Sequence, residues 1–227
     1  MSPVRTLLLV RHGLPDYRLH QAGDEPPGPP LSDIGFLQAR QTAGALRPYE
    51  PTTIYCSPLA RARQTADCFG GILGLPVAVH SALQEWHRTE SLYDVSVRSA
   101  SWLARWVAGA ERCVVVVGHA SPLLAVIRTA LYLPHFGWWK RGHPDQPEID
   151  TCDRFELSMG SVYALTFAPE RVTAEVVFHP EPRIVDTPCG RPRRCFPRPN
   201  FGDGEGRFVC RPAFVRLAGW GLPAEGI

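Results

Sequence analysis

Thr6-Leu7-Leu8-Leu9-Val10-Arg11-His12-Gly13 sets four apolar residues hard against a cation, an imidazole and a glycine. A leucine- and valine-rich run bounded by glycine reads as a strand of a parallel sheet, covered on both faces. Arg11 and His12 then fall at the carboxyl end of that strand, the edge at which open α/β sheets bind ligands. Arginine offers a fixed fork of donors for phosphate or carboxylate. Histidine titrates near neutrality and serves as nucleophile or proton carrier. Gly13 lets the backbone approach a neighbour closely.

A second run repeats this grammar. Cys113-Val114-Val115-Val116-Val117-Gly118-His119 is the clearest buried strand in the chain, and it also ends in glycine and histidine. Ser121-Pro122 then predicts a helix through Leu131. Thr53-Ile54-Tyr55-Cys56 and Val77-Ala78-Val79 are shorter strands. Ser57-Pro58 after the former predicts a helix capped by Ser57 with Pro58 at its first position. Arg61 falls about one turn inside, leaning back toward the N-terminus, where helix N–H groups favour an anion. A parallel sheet would bring His12 and His119 to one edge, facing each other across an anion.

Between the strands, Leu14 to Pro30 is a loop: four of its last five residues are proline. Ser32 or Asp33 caps the next helix, whose apolar stripe is read as Ile34, Leu37, Ala45 and Leu46, ending near Arg47-Pro48. Gly70 to Gly74 closes the helix that follows Ser57. Leu83-Gln84-Glu85-Trp86-His87 is a loop, and Val95 to Ala108 an amphipathic helix whose Trp102 and Trp106 read as core or groove lining. Phe136, Trp138, Trp139, Lys140, Arg141 and His143 form an aromatic-basic patch that either lines a substrate pocket or covers an edge. Late strands are read over Phe155 to Phe167 and Val172 to Phe178, with Met159-Gly160-Ser161 at a turn or bulge.

The composition limits the function. The 227 residues are 44% hydrophobic and 20% charged, with a net charge of only +2, so no global field points to nucleic acid. No run approaches the roughly 18 apolar residues of a membrane span. The first apolar run is too short for a signal peptide, and seven cysteines are read as reduced thiols, giving a cytoplasmic expectation. From Thr187 onward seven arginines against three acids, with six prolines and seven glycines, read as an irregular extension. Cys189, Cys195 and Cys210 lack metal-ligand spacing, and neither a metal nor a cofactor is expected.

Together, Leu8-Leu9-Val10-Arg11-His12-Gly13, Pro30-Leu31-Ser32 with Gly35 and Gln38-Ala39, Ser57-Pro58-Leu59 with Arg61 and Thr65-Ala66, Val116-Val117-Gly118-His119, and Leu157-Ser158 with Gly160-Ser161-Val162 resemble the histidine phosphatase superfamily, of phosphoglycerate mutase-like fold. The resemblance runs from about residue 4 to 180. It implies an α/β fold of three layers, a mostly parallel central sheet flanked by helices. Residues 1–183 form the catalytic domain and 184–227 a Pro/Gly/Arg-rich C-terminal extension. It also implies a metal-independent phosphatase that hydrolyses a phosphomonoester of a small metabolite through a phosphohistidine. His12 is then the nucleophile, and Arg11, Arg61, Ser57 and His119 hold the phosphoryl group, which needs positive charge around its oxygens. His12 must attack through an unprotonated nitrogen, so its other N–H needs an acceptor, most simply a backbone carbonyl. Glu85 is the proton donor, a role that calls for a carboxyl with a raised pKa.

The chain also departs from the family. Leu14-Pro15-Asp16 stands where polar residues are usual, and no glycine-tryptophan-glutamate run follows Glu85, so Asp16, Glu90 and Asp94 are alternative acids. A mutase-like phosphotransferase and a non-catalytic phosphate-binding module are the competing readings. The expected partner is a small phosphorylated substrate, with no nucleic acid and no membrane; whether the chain forms a homo-oligomer is not fixed by the sequence.

Overall fold

The computed structural model describes residues 4–19, 26–132, 157–169, 171–181 and 207–210. The aromatic-basic patch at 136–143, the boundary at 183/184 and the tail apart from 207–210 lie outside the described residues. The elements run β1 (Arg5–Arg11), α1 (Asp33–Leu46), β2 (Thr53–Cys56), α2 (Ala60–Leu73), β3 (Val77–Val79), α3 (Leu92–Ala108), β4 (Cys113–Gly118), α4 (Ala120–Tyr132), β5 (Val162–Ala168), β6 (Arg171–Phe178) and β7 (Arg207–Cys210). The sheet order is β3-β2-β4-β1-β5-β6-β7. Strands β3, β2, β4 and β1 pair in parallel, whereas β5, β6 and β7 add antiparallel.

The sheet is therefore mixed, with its parallel half carrying the strand ends singled out above. Arg207–Cys210, within the tail read as irregular, extends it at the β6 edge. An edge strand offers unpaired N–H and C=O groups, and a short segment of the tail satisfies them.

Leu7 to Val10 and Val114 to Val117 are completely buried. Their alternate residues feed two cores. Leu7, Leu9, Val114 and Val116 pack against Trp102, Leu103 and Trp106 of α3 and Leu123 and Ile127 of α4. Leu8, Val10, Val115 and Val117 pack against Ala39, Ala43 and Leu46 of α1 and Ala62, Ala66 and Phe69 of α2. Each fully buried leucine or valine contributes about 1.5–3 kcal/mol, which makes these two strands the axis of the three layers.

Four expectations are corrected. On α1, Ile34 and Leu37 are 42% and 49% exposed; Gly35, Gln38, Ala39, Thr42, Ala43 and Leu46 face inward. The helix lies too close to the chain after β1 for large side chains: a Cβ on Gly35 would stand 2.2 Å from Leu14 O. Ser57 does not cap α2, which begins at Ala60 with Leu59 as N-cap. The Ser57 N–H still donates to Val117 O, continuing the sheet for one more residue. Helix α4 begins at Ala120, so Ser121 and Pro122 lie within its first turn, where proline's missing N–H is not needed. The α1 cap is Ser32, whose Oγ accepts from Gly35 N. The late strand begins at Val162, because Gly160 at φ 73° turns the chain just before it.

Candidate active site

The carboxyl ends of three adjacent parallel strands deliver the site: β1 runs into His12, β2 into Ser57 and β4 into His119. Backbone bonds fix their heights, His12 N donating to Gly118 O and Ser57 N to Val117 O. The imidazoles of His12 and His119 lie 4.9 Å apart between centroids. Arg61, second residue of α2 rather than a full turn inside, donates from Nε to His12 Nε2 at 3.1 Å. Ser57 Oγ shares a 2.8 Å hydrogen bond with His119 Nε2 and accepts from Leu59 N. Arg11, His12, Ser57, Arg61 and His119 are all buried.

The proton on His12 is located by its neighbours. Nδ1 lies 2.7 Å from Gly13 O, which can only accept, so Nδ1 carries the hydrogen. The guanidinium of Arg61 can only donate, so Nε2 holds the lone pair. Burial drives the His12 pKa well below 6.5, and the charges of Arg61 and Arg11 push it in the same direction. His119 is lowered likewise, by burial first and then by His12, Arg61, Arg11 and Arg98. Among the described residues, the charged side chains that shift the two imidazoles are arginines. No carboxylate appears among the buried polar side chains of the described residues. A pocket of this kind takes a neutral nucleophile and an anion.

A supporting layer holds these groups. Arg11 Nη1 donates to Leu157 O, and Gly160 N donates to the carbonyls of Arg11 and His12. Thr42 Oγ1 donates to Gly160 O, Leu14 N to Gln38 Oε1, and Gly13 N to Thr65 Oγ1. Gln38, Thr65 and Gly160 were visible as motif positions, but their role here is carried by partners distant in sequence.

Glu85 is half-buried, on the loop that follows a single 3₁₀ turn, Ser81–Leu83. That turn packs on the end of β4: a Cβ on Gly118 would meet Leu83 O at 3.6 Å. Glu85 Oε1 accepts from Trp86 N. The alternative acids are engaged elsewhere. Asp16 forms a two-pronged pair with Arg18, Glu90 does so with Arg98, and Asp94 completes a capping box with Ser91 at the start of α3. All three are lowered, first by those side-chain hydrogen bonds, which is opposite to what a proton donor needs.

A cavity of about 530 Å³ lined by His80, Ser81, Gln84, Glu90, Arg98 and Arg105 flanks the Glu85 loop and contains none of the five clustered residues. Among the described residues no group of three His, Cys, Asp or Glu could hold a metal, and no helix is long and apolar enough to cross a membrane. Cys56 and Cys113 are pushed up to about 11 by burial, so they stay thiols and serve as small apolar groups.

A parallel sheet edge carrying two imidazoles and two guanidiniums is the arrangement of a phosphoryl-binding α/β protein. Residues 7–89 match the sequence model of the histidine phosphatase superfamily (branch 1). A glucosyl-3-phosphoglycerate phosphatase of Mycobacterium tuberculosis is 31% identical over 156 residues, covering 64% of this chain and 68% of the relative. One of Mycolicibacterium vanbaalenii is 29% identical over 175 residues, covering 60% of this chain and 78% of that one. A solved structure of native mycobacterial glucosyl-3-phosphoglycerate phosphatase superposes with a TM-score of 0.56 at 26% identity, over 72% of this chain and 91% of the other. The chain belongs to the histidine phosphatase superfamily.

Proposed function

We propose that the protein hydrolyses phosphomonoesters by way of a phosphohistidine on His12. Nε2 of His12 attacks phosphorus in line with the ester oxygen; the N–P bond forms as the P–O ester bond breaks. The proton needed by the leaving alkoxide comes from the Glu85 carboxyl. Water then attacks the phosphohistidine, giving its proton to the Glu85 carboxylate, and releases inorganic phosphate with His12 restored. Arg11, Arg61 and His119 carry the phosphoryl oxygens through both steps, the charge stabilisation on which phosphoryl transfer depends. Ser57 holds His119 from behind. Glu85 is favoured over Asp16, Glu90 and Asp94 because each of those is bound to a cation or a helix cap.

One observation carries this reading: the lone pair of His12 Nε2 is aimed at a guanidinium while Nδ1–H is tied to Gly13 O. The nucleophile is thereby neutral, oriented and set at the place where an anion is attracted. The relatives' names make glucosyl-3-phosphoglycerate the first substrate to try, followed by 3-phosphoglycerate and sugar phosphates. Incubation with a labelled substrate and rapid quenching should yield an acid-labile, base-stable phosphoprotein and free phosphate, both absent from His12→Ala. Undiminished phosphate release by His12→Ala would overturn the proposal.

A further inference from the structure

We propose that Arg98 is a positioning residue that fixes the Glu85 loop against the pocket. The inference rests on the reading of Glu85 as the proton donor. Arg98 lies in the second turn of α3, and its side chain leans toward the helix start. Its Nη1 donates to Ala82 O at 2.6 Å, and Nη2 to Glu85 O at 3.2 Å and Glu90 Oε2 at 3.0 Å. Nε donates to Glu90 Oε1 at 2.8 Å. One guanidinium thus joins the segment before Glu85, the main chain of Glu85 itself and the end of its loop.

The loop is closed on itself by the same anchor. Glu90 Oε2 accepts from His87 N, Glu90 O accepts from Trp86 Nε1, and Glu90 N donates to His87 O. Ser91 then starts α3 through its capping box with Asp94, and buried Val95 and Trp102 set the rotation of the helix that presents Arg98. An exposed ion pair would contribute little. This one is 19% and 27% exposed and carries two main-chain acceptors besides the carboxylate, so its fork defines a geometry. The hydrogen bonds from Arg98 also keep Glu90 ionised, and the charge of Arg98 reaches His119. Lysine, with a point charge in place of the fork, cannot make the same set of bonds.

The test uses two esters of one shape and different leaving groups, phenyl phosphate and 4-nitrophenyl phosphate. Phenolate needs a proton as it departs; 4-nitrophenolate leaves with little help. The value of kcat/KM reports transfer to the enzyme, the half-reaction in which the acid acts. Arg98→Ala should lower kcat/KM for phenyl phosphate about 10- to 100-fold while changing the 4-nitrophenyl ester by less than about threefold, the pattern of weakened general-acid help. Glu85→Gln sets the benchmark with the same pattern and a larger loss. Glu90→Ala, which removes two of the four Arg98 bonds, should give a smaller loss of the same kind, and it decides the matter if Arg98→Ala does not fold. Equal losses on both esters, or none, in Arg98→Ala and Glu90→Ala beside a selective loss in Glu85→Gln would overturn the positioning role and leave the acid assignment standing. A Glu85→Gln protein without the selective loss would overturn the acid assignment itself, and the role of Arg98 with it.

Discussion

Arg61 Nε donates to His12 Nε2 at 3.1 Å, so a permanent cation faces the lone pair of the nucleophile. The contact keeps the imidazole neutral and points it toward the place an anion would take. Arg61→Ala should lower kcat/KM by about 10²- to 10³-fold, the usual loss for one stabilising donor. Removal of a cation that depresses His12 should also raise the pKa of that imidazole, which NMR titration of the ring would register. An unchanged titration in an inactive variant would show that Arg61 does not set the state of the ring.

The same burial makes stability depend on pH. His12 and His119 are held well below 6.5 in the fold and return to about that value when unfolded. Below 6.5 the unfolded chain therefore binds protons that the native chain refuses, and stability falls as pH falls; above 6.5 it is fully present. The slope approaches about 1.4 kcal/mol per pH unit for each histidine. His80, lowered mainly by burial, adds in the same direction. Asp16, Glu90 and Asp94 are lowered carboxyls, so their contributions are lost only below about pH 4.5. Urea denaturation in phosphate-free buffer at pH 7.5, 6.5 and 5.5 should show the loss, reduced in His12→Asn. A flat profile over that range would contradict it.

What could be read from the sequence follows from how local each signal is. The buried strands, the glycine C-cap of α2 and the strand-end residues Arg11, His12 and His119 each depend on a few consecutive residues, and they lie where expected. The inward face of α1 was misread because apolar residues are not the ones that fit there; small and amide side chains are, owing to the nearby main chain. Ser57 followed by proline is a capping pattern in sequence, yet its hydroxyl is taken up by His119, 62 residues away. Nothing in the sequence around Arg98 sets it apart from other helix charges. Its partners Ala82, Glu85 and Glu90 become visible only once α3 folds back over the loop.

The contact between Gly13 and Gly35 is main chain against main chain. A Cβ on Gly35 would lie 2.2 Å from Leu14 O, and one on Gly13 would lie 2.5 Å from Gly35 O. Gly35→Ala must push α1 away from Leu14, two residues past the nucleophile, at a cost of about 1–3 kcal/mol or more. Gly44 is in the same helix, and a Cβ there meets nothing within 4 Å. Gly44→Ala should therefore gain about 0.5–1 kcal/mol from helix propensity alone. Opposite signs in the denaturation free energies of these two variants, with lowered activity only in Gly35→Ala, are the expected outcome. Equal effects would mean that the close approach does not matter.

Ser57 Oγ bridges two elements, bonding His119 Nε2 at 2.8 Å and accepting from Leu59 N at the start of α2. Ser57→Ala leaves both nitrogens to find other partners in a buried site, a penalty of about 1–3 kcal/mol. If the hydroxyl acts on the phosphoryl group through His119, the two residues form one unit, and their substitutions should not add. Ser57→Ala, His119→Gln and the double variant can be compared by inhibition with inorganic phosphate. The double variant should bind phosphate scarcely worse than His119→Gln, with a coupling energy of about 0.5–3 kcal/mol between the sites. Strictly additive losses would instead mean that Ser57 and His119 meet the phosphate independently.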